Sequence, residues 1–276
     1  MTDYRGFNIV TIIQTRTGST RFPEKVLKPL GGKPLFIRLV ERLRCSALTG
    51  DIIVATTNLK ADDVIERLCR KEQIICFRGH PTDLLDRHYQ AALSHHADVA
   101  VKIPSDCPLI DPCIIDRVID FYFRNRDSFD YVSNLHPATY PDGNDVEVIS
   151  MPALRAAWVE ANRDFEREHT TAYIWENPDR FSIGNVAWEK GLDYSMSHRW
   201  VIDYEEDYRL IRRIYDELAT INPFFGIDDI LDLLADEPEI MDINKHLAGV
   251  NWYRNHLTDL KTVNAEQTRL EPIERC

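Results

Sequence analysis

Apolar and polar positions follow one another along this chain in blocks of changing period. Residues 9–13, Ile-Val-Thr-Ile-Ile, are mostly β-branched and nearly all apolar, the pattern of a parallel strand covered on both faces. After a Gly31-Gly32 turn, with Pro34 suited to the first position of a helix, Phe36, Leu39, Val40 and Leu43 recur at helical spacing. Residues 51–56 read as a second strand, Val64, Ile65, Leu68 and Cys69 as a second helical face, and 74–77 as a short third strand. The order βαβαβ predicts a parallel sheet with right-handed crossovers.

Residues 78–93 begin as a loop and become a helix that turns Leu84, Leu85, Tyr89, Ala92 and Leu93 inward, and 97–103 read as the next strand. Pro104 and Pro108 then flank Asp106 and prevent a helix, which fixes a rigid, exposed turn. A helix beginning near Pro112 carries Ile115, Val118, Ile119 and Tyr122. From residue 130, Pro137, Pro141, Asp142 and Gly143 separate short β-like pieces, which predicts an antiparallel excursion from the sheet. Helices are expected over 152–162 and 166–175, and strands over 181–186 and 199–202. Tyr208, Ile211, Tyr215 and Leu218 mark a long helix, with shorter ones at 228–235 and after Glu237. No repeat, low-complexity tract or linker interrupts the chain, so residues 1–258 are expected to form one domain and 259–276 a frayed tail.

With 276 residues, 44% hydrophobic and 10% aromatic, the chain can bury a substantial core, which excludes disorder for its bulk. A formal net charge of -12 argues against nucleic acid as the main partner, because that binding needs basic charge over a broad face. The start of the chain lacks a cleavage pattern, so no signal peptide is expected, and no stretch approaches the roughly 18 apolar residues of a membrane span. Cys45, Cys69, Cys76, Cys107, Cys113 and Cys276 form no CxxC pair, and read as reduced, mostly buried thiols of a cytoplasmic protein.

Against this acidic background the stretch after the first strand reverses sign. Residues 14–28 hold Arg16, Arg21, Lys25 and Lys28 against Glu24 alone. Gly18, Ser19 and Thr20 allow a tight turn whose N–H and hydroxyl groups can converge on an anion, and arginine's planar fork suits phosphate. A solvated basic loop without a ligand is the alternative; the position at the carboxyl end of a strand favours a site. Phosphoryl chemistry calls for a hard cation and hence for carboxylates. Asp106 and Asp203 each follow an apolar stretch, though either one alone could be a turn residue or a helix cap. No GxGxxG, P-loop, GxSxG or HExxH motif occurs.

The segment QTRTGSTRFPEKVLKPLGGKPL, followed in order by DIIVATT, RGHPTDLLDRHYQAA, IPSDCPLIDP, YPDGNDVEVIS, EREHTTAYI and RWVIDYEED, resembles the sugar-acid cytidylyltransferases. This is the acylneuraminate and 3-deoxy-manno-octulosonate cytidylyltransferase-like family, and the closest likeness is to its spore coat polysaccharide biosynthesis protein F-like branch. Thr15 and Thr17 stand where that branch's signature has Ala and Met. The resemblance implies an α/β, Rossmann-like nucleotide-diphospho-sugar transferase (GT-A-like) three-layer sandwich with a mostly parallel sheet. It also implies transfer of CMP from CTP to a sugar acid or related anionic acceptor, with release of pyrophosphate, in surface polysaccharide or glycoconjugate biosynthesis.

By that resemblance Arg16, Ser19, Arg21 and Lys25 hold the triphosphate, and Asp106 and Asp203 bind Mg²⁺. Gln14, Thr15, Gly18, Thr56, Arg78, Asp83 and Ser105 complete the nucleotide side. Asp142, Asn144, Asp145, Glu147, Glu168 and His169 take the acceptor, and His169 is a conceivable base. A nucleotide-sugar-dependent glycosyltransferase of related fold is the second reading, weakened by the lack of a D-x-D motif after a corresponding strand. A non-catalytic nucleotide-binding protein is the third, and retention of Arg16, Arg21, Lys25, Asp106 and Asp203 together argues against it. The β-like pieces of 140–150 suggest a free edge, and with it a homodimer.

Overall fold

Alternate side chains of the first strand enter two separate cores: Ile9 and Ile13 one, Val10 and Ile12 the other. A strand so covered lies in the middle of a sheet. The computed structural model describes residue 4 and residues 6–273. In chain order its strands are β1 (Ile9–Gln14), β2 (Pro29–Leu30), β3 (Lys33–Pro34), β4 (Asp51–Thr57), β5 (Ile75–Gly79), β6 (Val99–Pro104), β7 (Tyr131–Ser133), β8 (Glu147–Ser150) and β9 (Ile183–Asn185). The helices are α1 (Leu35–Leu43), α2 (Asp63–Lys71), α3 (Leu84–Ser94), α4 (Pro112–Arg124), α5 (Met151–Glu160), α6 (Asp164–Glu168), α7 (Ala172–Trp175), α8 (Glu205–Leu218), α9 (Ile227–Asp236) and α10 (Glu239–Asp242).

Seven strands form one mostly parallel sheet in the order β5-β4-β1-β6-β8-β7-β9, and β2 with β3 makes a separate hairpin. Gln14 at the end of β1 pairs with Ala55 of β4 and Pro104 of β6, so the loops after these strands leave the sheet at one edge. That register brings residues 15–28 beside 105–111. β8 runs antiparallel to both β6 and β7, and its register sets Lys102 opposite Glu147. The excursion expected from residue 130 is therefore present. β8 (147–150) lies between two partners, however, so that strand offers no free edge to a second copy.

Helix ends follow local chemistry. Asp83 accepts a hydrogen bond from the Asp86 N–H at the start of α3, and Asp111 accepts one from the Cys113 N–H at the start of α4, each worth about 1 kcal/mol. In α1, Leu35, Phe36, Leu39, Val40 and Leu43 are buried, with roughly 1.5–3 kcal/mol for each large side chain taken from water.

Four further expectations are corrected. Residues 199–202 are not a strand: they meet the sheet-edge loops through one bridge, Asp142 to Arg199, with Trp200 N–H on Asp142 O at 2.7 Å and Ile202 N–H on Asp106 O at 2.9 Å. The apolar pattern there reports burial, since Trp200 and Ile202 are enclosed without ladder partners. Gly143 permits this approach: its φ is 112°, and a Cβ would meet the Trp200 carbonyl carbon and oxygen at 2.7 Å.

Residues 166–175 do not form one helix, because Thr170 takes a φ of 60° and separates α6 from α7. Residues 259–273 are docked, with Leu260 and Val263 buried and the N–H groups of Lys261 and Thr262 bound to buried Glu176; 274–276 lie outside the described residues. Of the cysteines, Cys69 and Cys107 are buried, Cys76 is half-buried, and Cys45 and Cys113 are exposed, so burial is less general than expected; all five are free, and Cys276 lies outside the described residues. Among the described residues no helix is long and apolar enough to cross a membrane.

Candidate active site

The carboxyl edge of the sheet opens into a cavity of about 760 Å³. One side is built by β1 and the loop after it. Gln14 is held in a single orientation: Arg87 donates twice to its Oε1, at 3.0 and 2.7 Å, and its Nε2 donates to Leu84 O at 2.8 Å and Thr170 Oγ1 at 3.1 Å. The loop that follows is anchored through Thr17, whose N–H and hydroxyl both donate to Asp62 Oδ1. Gly18 does not supply the turn. It avoids the left-handed region and has open space where a Cβ would stand. The turn comes from Ser19 and Glu24 N–H bonds to Thr17 O, with Glu24 itself at a φ of 55°.

Arg16, Ser19, Arg21 and Lys25 all line the cavity. Arg87 is pushed down to about 10, by burial first and then by the positive charge of Arg16. Two neighbouring guanidinium groups at the mouth of a βα loop make a place where an anion lowers the energy.

Lys25 is the centre of the charge arrangement. Its ammonium donates to Asp106 Oδ2 at 2.8 Å, to Ile202 O at 2.6 Å and to Asp203 Oδ1 at 3.2 Å. The two aspartates, 97 positions apart (203 minus 106), thus share one ammonium. Burial disfavours the charge on Lys25, but Asp106 and then Asp203 outweigh it and raise the pKa. Burial likewise opposes ionisation of Asp203, yet Lys25, Arg21 and Arg199 together hold it down at about 2. Arg21 reaches Asp203 Oδ1 at 2.6 Å and Arg199 reaches Oδ2 at 3.2 Å.

Arg199, the first residue of the RWVIDYEED segment, ties this centre to the rest of the cavity. It is only 2% exposed and bonds Asp207 through Nε at 2.9 Å, Asp142 at 3.4 Å and Val250 O at 2.7 Å. Asp207 is fully buried and also accepts from Asn244 and from the backbone N–H groups of Asp203 and Tyr204.

The other side of the cavity holds all six residues expected to face the acceptor: Asp142, Asn144, Asp145, Glu147, Glu168 and His169. Glu147 is ion-paired with Lys102 and accepts from Tyr131 Oη at 2.6 Å, while Asn144 is buried and braces the turn at Pro141. Burial raises Asp142 well above the usual carboxylate range and Asp145 to about 6, against the opposing pull of Arg199 and Lys102. Burial, with Lys102 next, lowers His169 to about 3, so it is neutral at pH 7 and a poor proton acceptor.

Several expected nucleotide residues lie outside the cavity lining. Thr15, Gly18, Thr56, Arg78 and Asp83 do not line it, while Ser105 does. Arg78 is engaged by Asp63, Glu66 and two backbone carbonyls, and Asp83 by Arg167 and the start of α3. Thr15 and Thr56 are buried with unpartnered hydroxyls. Arg87, Lys102, Arg199, Trp252, Tyr253 and Gln267 also line the cavity, none of them among the site residues expected from the sequence. Most of these belong to no recognisable motif, and fold geometry alone brings them in.

The family model described as cytidylyltransferase matches residues 10–226, well over half of the chain, and so spans the loop, Lys25, both aspartates and Arg199. This chain belongs to the cytidylyltransferase family. An uncharacterized protein of Methanocaldococcus jannaschii, MJ1063, is 37% identical over 239 residues, covering 87% of this chain and 95% of that protein. The spore coat polysaccharide biosynthesis protein SpsF of Bacillus subtilis is 30% identical over 237 residues, covering 84% and 96%. Among solved structures, a cytidylyltransferase from Leptospira borgpetersenii superposes with a TM-score of 0.80 at 29% identity, covering 85% of this chain and 97% of its own. The chain thus has the α/β fold of a cytidylyltransferase, as the resemblance implied, and the family's reaction is cytidylyl transfer.

Proposed function

We propose that this cytidylyltransferase moves CMP from CTP to a sugar acid or related anionic acceptor, releasing pyrophosphate, in the cytoplasmic making of a surface polysaccharide or glycoconjugate. The observation that carries the reading is Lys25, which joins Asp106 to Asp203 beside Arg16 and Arg21 at the carboxyl edge of the sheet.

The triphosphate lies against the loop after β1, where Arg16, Ser19, Arg21 and Lys25 offer donors. An acceptor hydroxyl oxygen attacks the α-phosphorus in line; its proton passes to water, its bond to phosphorus forms as the bond to the bridging oxygen breaks, and pyrophosphate leaves with that electron pair. Charge accumulates on phosphate oxygens beside cations already fixed by their ion pairs, so little reorganisation is needed at the moment of reaction. Asp106 and Asp203 supply hard oxygen donors of the kind Mg²⁺ takes alongside substrate phosphates. Asp106 Oδ1 makes no ion pair among the described residues, while both oxygens of Asp203 are engaged by cations. Mg²⁺ bound there would neutralise charge on the phosphates. Gln14, fixed by Arg87, and Leu84 line the cavity beside the end of β1.

Pyrophosphate release measured with CTP and Mg²⁺ across a set of sugar acids tests the reading. Release with at least one sugar acid and CTP, and none with UTP or a UDP-sugar, is expected. Release that follows UTP in preference to CTP would contradict it.

A further inference from the structure

Residues 249–267 lie beyond residue 226, where the family match ends, yet Gly249, Asn251, Trp252, Tyr253, His256 and Gln267 line the same cavity as the phosphate loop. The segment is anchored from beneath. Arg199 holds Val250 O, Arg269 N–H bonds Gly249 O at 2.7 Å, Asn251 Nδ2 bonds Gln267 O at 2.9 Å, and Glu176, 1% exposed, takes the N–H groups of Lys261 and Thr262. What it presents is aromatic. The half-buried Trp252 ring stacks on His169 with centroids 3.5 Å apart and planes at 12°, and Tyr253 meets Trp252 edge-on at 4.7 Å. His169 belongs to the break between α6 and α7, so this stack joins the acceptor side to the docked segment.

Charge on this side has a definite sign. The two cations here, Lys102 and Arg199, are both in ion pairs, with Glu147 and with Asp207, Asp142 and Asp203. Asp145, Glu168 and Glu266 also line it. An anionic group of a ligand would be repelled here and drawn toward Arg16 and Arg21. A ring bearing hydroxyls fits instead, since carboxylates accept its O–H bonds and aromatic faces cover its C–H surface.

We propose that residues 249–267 form the acceptor-selecting wall, which takes the polyhydroxylated ring of a pyranose-type acceptor against Trp252 and Tyr253 while the acceptor's anionic group faces the phosphate loop. The proposal rests on the cytidylyl-transfer reading and adds which part of the chain chooses the acceptor.

The test uses the full chain holding Mg²⁺ and a CTP analogue with a methylene bridge between its α and β phosphates, so that no turnover occurs. Calorimetry then measures binding of N-acetylneuraminate and of 3-deoxy-manno-octulosonate to wild type, Trp252→Ala and Trp252→Phe. At least one sugar acid is expected to bind wild type. Trp252→Ala should weaken that binding by about tenfold, as loss of one ring face implies, and Trp252→Phe by less than about threefold, with analogue affinity within about twofold in both.

Unchanged sugar-acid binding in Trp252→Ala would overturn the proposal. So would a tenfold loss of analogue affinity in that variant, which would assign the wall to the nucleotide, and so would a wild type that holds the analogue but binds neither sugar acid. A wild type that fails to hold the analogue would overturn the cytidylyl reading, and this inference with it, before any variant is compared.

Discussion

Asp106→Asn is expected to lower the rate of pyrophosphate release from CTP by about 10²–10³-fold while leaving the fold intact, the scale on which loss of one preorganised electrostatic group acts. Asn keeps the size of Asp and removes its charge. Lys25 retains Ile202 O at 2.6 Å and Asp203 at 3.2 Å, so the loop after β1 stays anchored. Asp106 is also partly solvated, its side chain 23% exposed, which limits what the ion pair adds to stability. Steady-state rates with CTP and Mg²⁺, set beside a thermal unfolding curve, check both halves of this expectation. A wild-type rate in Asp106→Asn would reduce the residue to the proline-flanked turn it occupies. A collapsed unfolding temperature would give it a structural role instead.

Arg199→Met carries the largest expected effect on stability, a loss of about 3–5 kcal/mol, because one half of a buried charge pair is removed and the other half stays. Asp207 is fully buried and would keep only Asn244 and two backbone N–H donors. Val250 O would lose its donor, and the docked segment one of its anchors. Arg199→Lys is expected to recover only part of the loss, since one ammonium cannot meet Asp207, Asp142, Asp203 and Val250 O as a planar fork does. Urea unfolding of the three proteins measures this directly. A change below about 1 kcal/mol in Arg199→Met would show that the group contributes no more than an ordinary surface ion pair.

These two residues also mark how far the sequence could be read. Asp106 was legible because two prolines and a preceding apolar strand isolate it, and the loop with Arg16, Arg21 and Lys25 because its charge runs against that of the whole chain. Asp203 was legible as a carboxylate after an apolar run, but the run itself was misread: residues 199–202 are buried against loops and have no ladder, and a pattern of apolar residues reports burial before it reports pairing. Arg199, in the same stretch, carried no mark of its own role, since an arginine among aspartates is normally a solvated surface residue. The wall of residues 249–267 was hidden for a similar reason. Residues 249–258 carry no motif, 259–267 look like part of a tail, and only the fold shows the contacts with Arg199 and Glu176 that dock them. The helical break at Thr170 depends on a left-handed backbone at a non-glycine residue, which composition does not announce.

The loop after β1, with Lys25 holding Asp106 and Asp203 together, is the proposed CTP site. Isothermal titration of wild-type protein with CTP, UTP, ATP and UDP-glucose in the presence of Mg²⁺ tests it most directly. Binding of CTP at least about tenfold tighter than any other nucleotide, and weakened in Arg16→Ala, is the expected result. Tight binding of UDP-glucose with no heat from CTP would contradict it.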